Sequence, residues 1–184
     1  MSSIIKVNTY QDANGNALFS SDGSGTVTLD SNFPAGENTP AWFGTKASAQ
    51  SVSRATYTKV TGFTNNEIDS DSAFDGTTFT VPTGKGGKYM IFFHMWADYA
   101  TSAGSDGEYS IASIYVNGSA IERSFFELPG TTNVTQHHVN VSAMRTLSAG
   151  DTVEAYAYLK DENGGSADVQ ADYCSFYGYK IIGA

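Results

Sequence analysis

Three histidines, one cysteine and a few loop carboxylates are the side chains of this chain with chemistry to offer. His137 and His138 are adjacent, and neighbouring residues of a strand point to opposite faces, so the pair cannot grip one metal ion without a twist. One is expected inward and the other outward. His94 sits inside the aromatic run from Lys88 to Trp96 and reads as a packed, hydrogen-bonded interface residue. Cys174 is the sole cysteine, which excludes an intrachain disulfide. Without a neighbouring base in the sequence it reads as a small buried hydrophobe, not a nucleophile. The pairs Asp69 and Asp71, and Asp161 and Glu162, could offer oxygens to calcium. They lack the dense Asp/Asn/Gly repeat of a calcium loop, so solvated loop charges are the preferred reading. Gly84-Lys85-Gly86-Gly87-Lys88 has the residue types of a phosphate cradle but not its strand-to-helix setting, and is expected to be a hairpin. No Gly-x-Ser-x-Gly elbow, phosphate-binding loop or zinc spacing occurs. The expectation is no catalytic residue, no metal ligand, no cofactor and no enzyme. The rival, hydrolysis of a surface polymer, requires a carboxylate pair in a groove.

Composition narrows the partners. The net charge is −9 and no basic stripe gathers the ten Lys and Arg residues, which disfavours nucleic acid. Apolar residues make up 40% and charged residues 16%, enough for a core and too little charge for disorder. The longest apolar run, Tyr89 to Phe93, is too short to cross a membrane. The N-terminus, Met1-Ser2-Ser3-Ile4-Ile5-Lys6, lacks a signal-peptide pattern, so synthesis in a cytoplasm is expected.

The elements that must position these side chains are short strands. Residues 1–38 hold strand-like pieces broken by Asn14-Gly15 and Asp22-Gly23 turns, and carry too few large apolar residues for a core of their own. They are expected to form a docking arm and linker, with Ile4, Ile5, Val7, Tyr10, Leu18 and Phe19 as its apolar contacts. From residue 39 to 184 strands and turns alternate, without helical periodicity, which indicates a sandwich or jelly roll. Strands are expected at Ala41–Thr45, Tyr57–Val60, Thr77–Val81, Lys88–Trp96, Tyr109–Val116, Ala120–Leu128, Gln136–Leu147, Thr152–Leu159 and from about Asp172 to Ile182. Two of them are apolar on both faces. Tyr89, Ile91, Phe93 and Met95 alternate with Met90, Phe92, His94 and Trp96, and the final strand carries aromatics on both sides. A strand exposed on one face should alternate with polar residues, so one face is read as core and the other as a subunit contact.

Phe79-Thr80-Val81-Pro82 followed by Gly87-Lys88-Tyr89-Met90-Ile91-Phe92-Phe93 resembles the strand–Pro–Gly–strand signature of the complement C1q/tumour necrosis factor superfamily. Ile114-Tyr115-Val116-Asn117-Gly118 resembles its hairpin, and Leu147-Ser148-Ala149-Gly150-Asp151-Thr152-Val153 its penultimate turn. Tyr173 to Ile182 resembles its final strand, with Phe176 and Gly178 at matching places. The resemblance spans about residues 40–184 and implies an all-β jelly-roll domain that forms a homotrimer. Trimer contacts are expected from Tyr89, Ile91, Phe93, His94, Trp96, Phe176, Tyr177 and Tyr179. Some members bind calcium near the trimer apex, so calcium is the one cofactor the resemblance allows. The collagen-like stalk common in the family is absent.

The N-terminal piece resembles the leaders of tailed-bacteriophage appendage and head-decoration proteins. That second resemblance implies a structural virion protein, docked by its arm on capsid or tail proteins. The alternative is an adhesion module of a tail fibre that binds a receptor or host cell-surface glycan, through loops such as Tyr99–Tyr109 or Phe126–Val134.

Overall fold

The computed structural model describes residues 8–29, 38–99, 107–127, 134–161, 164 and 167–181, the side chains of 29 and 65–67 apart. The arm contacts Ile4, Ile5 and Val7 and most of the linker lie outside the described residues. The chain divides into two compact units, Met1–Glu37 and Asn38–Ala184.

The N-terminal unit is a three-stranded antiparallel meander of β1 (Thr9–Gln11), β2 (Ala17–Ser21) and β3 (Val27–Leu29). Its turns are made by side chains. The Asp12 carboxylate accepts from the backbone N–H of Asn14 at 2.8 Å and of Asn16 at 2.9 Å, and Gly15 takes the left-handed φ of 84° the turn needs. The Asp22 carboxylate closes the second turn on the Ser24 N–H at 2.7 Å. Tyr10 stacks on Phe19 with ring centres 4.3 Å apart. Tyr10, Leu18 and Val27 nevertheless stay 42%, 39% and 57% exposed, so this unit encloses no core among its described residues.

The second unit is an antiparallel jelly-roll sandwich. Its larger sheet holds β4 (Ala41–Lys46), β5 (Gln50–Val52), β7 (Phe63–Asp69), β9 (Gly87–Asp98), β12 (Gln136–Leu147), β14 (Ala167–Val169) and β15 (Ser175–Lys180). β9 is its spine, paired along its length with β12 on one side and with β14 and then β15 on the other. The smaller sheet holds β6 (Thr58–Lys59), β8 (Thr78–Thr80), β10 (Gly107–Val116), β11 (Ser119–Glu127) and β13 (Thr152–Asp161), in the order β11-β10-β13, with β6 and β8 both against β13. The Asn117-Gly118 turn of the β10–β11 hairpin has φ of 49° and 75°, the positive pair a two-residue hairpin loop demands.

Period-two alternation places the core between the sheets. Tyr89, Ile91, Phe93, Met95 and Ala97 of β9 face Val153, Ala155, Ala157 and Leu159 of β13, all fully buried. Trp42 stacks on Phe79 across the layers at 3.9 Å. Each enclosed large side chain contributes about 1.5–3 kcal/mol relative to exposure. Gly178 is required by this packing, since a Cβ there would lie 2.4 Å from Trp42 Cη2 and 2.7 Å from the Met90 carbonyl oxygen.

The core also corrects half of the expected trimer contacts. Tyr89, Ile91, Phe93 and Phe176 have no exposed surface within the single chain. They have nothing left to present to another subunit, because they sit on the inward phase of the alternation that puts His94 and Tyr177 outside.

Candidate functional site

The outward face of the larger sheet gathers the remaining four expected contacts. Strand pairing sets Tyr177 of β15 between Phe92 of β9 and Phe43 of β4, and Asn140 of β12 opposite His94. The Tyr177 ring stacks on Phe92 at 4.8 Å and lies 5.4 Å from Phe43. Tyr179 reaches Phe92 at 6.5 Å, and His94 meets Tyr177 edge-on at 5.4 Å. The Tyr177 hydroxyl and His94 Nε2 are 3.3 Å apart. Further along, Trp96 stacks on His138 at 5.6 Å. Tyr173, 80% exposed and held at a φ of 57°, stands beside both at 5.9 and 6.2 Å. Met144 on β12 is 61% exposed and Tyr179 37%.

A shallow cleft of about 510 Å³ opens on this face between Phe43, His94, His138, Asn140, Tyr173 and Ser175. Sequence reasoning placed His94, Trp96, Tyr177 and Tyr179 here but not Phe43, Asn140 or Met144. Their signal was the same alternation, on strands whose neighbours only the topology reveals.

Electrostatics suit an apolar contact. Partial burial, and then the nearby His138, hold His94 below the usual histidine range, so it is neutral at pH 7. Burial also raises the Tyr177 hydroxyl. Burial pushes the Cys174 thiol up to about 12, which removes the thiolate a nucleophile needs.

The adjacent histidines part as expected. His138 points outward, and His137 turns inward to place Nε2 2.7 Å from Ser110 Oγ and stack on Tyr99 at 5.7 Å. Burial, with a smaller effect of His138, lowers His137 to about 4. The Tyr99 hydroxyl donates to the Tyr109 carbonyl at 2.8 Å and lies 2.5 Å from Ser110 Oγ. Tyr99 is thus fully buried, a correction to its expected place in an outward recognition loop.

The loop carboxylates already have donors. Asp69 accepts from the Ala73 N–H at 2.8 Å, and Asp71 faces Ser70 Oγ at 2.7 Å and Lys85 Nζ at 3.5 Å. Asp161 is buried against Arg54 Nε at 2.8 Å, while Glu162 lies outside the described residues. The Gly84–Lys88 stretch runs from a turn into β9, with Gly84 at a φ of 77°.

No family model and no curated protein matches the chain. Solved structures do. The Eiger TNF of S. frugiperda superposes with a TM-score of 0.59 at 11% identity, covering 78% of this chain and 93% of that one. Murine APRIL superposes at 0.56 with 10% identity, covering 77% and 98%. The globular domain of the zebrafish complement 1qA protein superposes at 0.53 with 16% identity, covering 78% and 98%. Residues from Asn38 onward therefore build an all-β jelly roll with the fold shared by tumour necrosis factor and C1q domains.

Proposed function

We propose that the chain is a non-enzymatic, homotrimeric jelly-roll knob, a structural component of a tailed-phage virion attached through its N-terminal unit to capsid or tail proteins. One observation carries the trimer. The outward face of the larger sheet presents Phe43, Phe92, Trp96, Tyr177 and Tyr179 around a neutral imidazole, where a solvated face would be polar. Aromatic and Met side chains with little charge are the composition of an interface centre. The resemblance of residues 40–184 to C1q and tumour necrosis factor domains supports threefold assembly. The attachment role rests on the resemblance of the N-terminal piece to phage leaders, and on a small β-unit that leaves Tyr10, Leu18 and Val27 exposed.

Light scattering on the full-length protein tests this reading, with three times the chain mass of 19.6 kDa expected. A monomer at micromolar concentration overturns it. Deletion of residues 1–38 is expected to leave a trimer that no longer joins its parent particle. Loss of folding on deletion would instead make the N-terminal unit part of the knob.

The second reading, a carbohydrate-binding adhesion module of a tail fibre, is favoured by a run of aromatic rings on the opposite sheet.

A further inference from the structure

The smaller sheet also turns rings outward, and these are almost all tyrosines. Tyr156 and Tyr158 of β13 alternate with the buried Ala155, Ala157 and Leu159, and Tyr109 and Tyr115 of β10 share their side of the sheet. Phe125 adds a ring from β11, and Tyr57, from the turn before β6, folds over the sheet. Ring to ring, a continuous path runs Phe125, Tyr109, Tyr158, Tyr57, Tyr115, Tyr156. The successive centre distances are 5.7, 6.3, 5.0, 6.4 and 3.9 Å. The Arg123 guanidinium lies 5.0 Å above the Tyr57 ring. Beneath the rings, Ser113 Oγ is buried with no hydrogen-bond partner.

We propose that this aromatic path is the binding platform for a neutral, hydroxyl-rich saccharide, an inference that rests on the adhesion reading above. Charge selects the occupant. The ionic side chains nearest the path are mostly paired: Lys59 with Glu154 and Lys160 with Glu108, while Arg123 lies over Tyr57 on a strand that also carries Glu122 and Glu127. The net charge of −9 repels an acidic polymer and leaves an uncharged one unaffected. Shape agrees. A pyranose offers an apolar C–H face and a hydroxyl rim, matched by ring faces and by phenolic oxygens that both donate and accept. Tyrosine supplies such contact area at low entropic cost. A protein partner would seek an anchor and a pocket, but of the six rings only Phe125, 63% exposed, rises clear of the surface.

The test uses the full-length protein with neutral hexasaccharides of β-linked glucose, α-linked glucose and β-linked mannose, and with hexagalacturonate as the acidic counterpart. Calorimetry and ring-proton NMR are expected to show saturable binding of at least one neutral probe, with shifts at Tyr109, Tyr158 and Phe125. Phe125→Ala and Tyr109→Ala are each expected to weaken it at least tenfold. Phe125 is exposed, so its variant keeps the fold, and the wild-type ring shifts need no variant at all. Neutral binding that both substitutions leave unchanged overturns the platform and spares the adhesion reading. Failure of every saccharide overturns both. Preference for hexagalacturonate, or a fall in solution mass on Phe125→Ala, overturns the neutral occupant in favour of an acidic glycan or a second copy.

Discussion

The two outward faces of the sandwich are both aromatic, yet they differ in the polar groups set among their rings. On the larger sheet Phe, Trp and Tyr rings mix with Met and His94, and among the outward residues of β9, His94 and Trp96 carry no full charge at neutral pH. On the smaller sheet tyrosines predominate, and Lys, Glu and Arg border them. An apolar face whose centre carries no charge loses most by meeting water and so favours a permanent partner. A tyrosine face with mostly paired charges tolerates water and suits reversible contact. The lesson is that ring count does not separate the two proposed roles; the polar groups among the rings do.

A charge on one face and not the other should break this comparison most visibly. Tyr177→Asp is expected to reduce the light-scattering mass threefold, to a monomer. Tyr109→Asp should leave the mass unchanged, and equal behaviour of the two variants would erase the distinction between the faces. Next in size is the shared core behind both faces. Phe93→Ala is expected to cost about 3–5 kcal/mol in denaturant unfolding, the usual range for a buried phenylalanine. Gly178→Ala is expected to cost about 1–3 kcal/mol by forcing Trp42 or the β9 backbone aside.

Acid should sharpen the contrast by a smaller amount. His137 has a folded value of about 4 against 6.5 for the free group, so the unfolded chain takes up the proton first. The stability it supports is whole above pH 6.5 and falls as the pH drops toward 4. Thermal unfolding midpoints should decline across that window, and His137→Gln should flatten the decline. His94 is also held low, so its protonation at acid pH adds charge to the larger-sheet face and should loosen the proposed trimer. The smallest effect expected is at Cys174, which should resist iodoacetamide at pH 8 in the native protein and react in urea. Rapid native labelling would contradict its burial.

Much of the fold was legible in the chain. Alternation at Lys88–Trp96 and the Asn117-Gly118 and Gly150-Asp151 turns announce strands and hairpins through local sterics, and those cues need no tertiary context. β5, β7 and β14 were not read, because Gln50–Val52, Phe63–Asp69 and Ala167–Val169 are short or polar and become strands only by pairing with neighbours. The two-faced character of the Lys88–Trp96 strand was evident too, but not which face was core. Tyr89 and Ile91 are as plausible for an interface as Phe92 and Trp96 until β13 is known to cover them.

By itself, then, the sequence determined the all-β class, the acidic balance, the absence of an intrachain disulfide and the opposed directions of His137 and His138. Each follows from composition or from the period of two along one strand. Only the tertiary structure decided which phase of that period is buried, that Phe125, Tyr109, Tyr158 and Tyr57 join into one path, and that Gly178 admits no side chain. Those outcomes depend on contacts between residues far apart in the chain, fixed by the stacking of two sheets and by nothing local to any one strand.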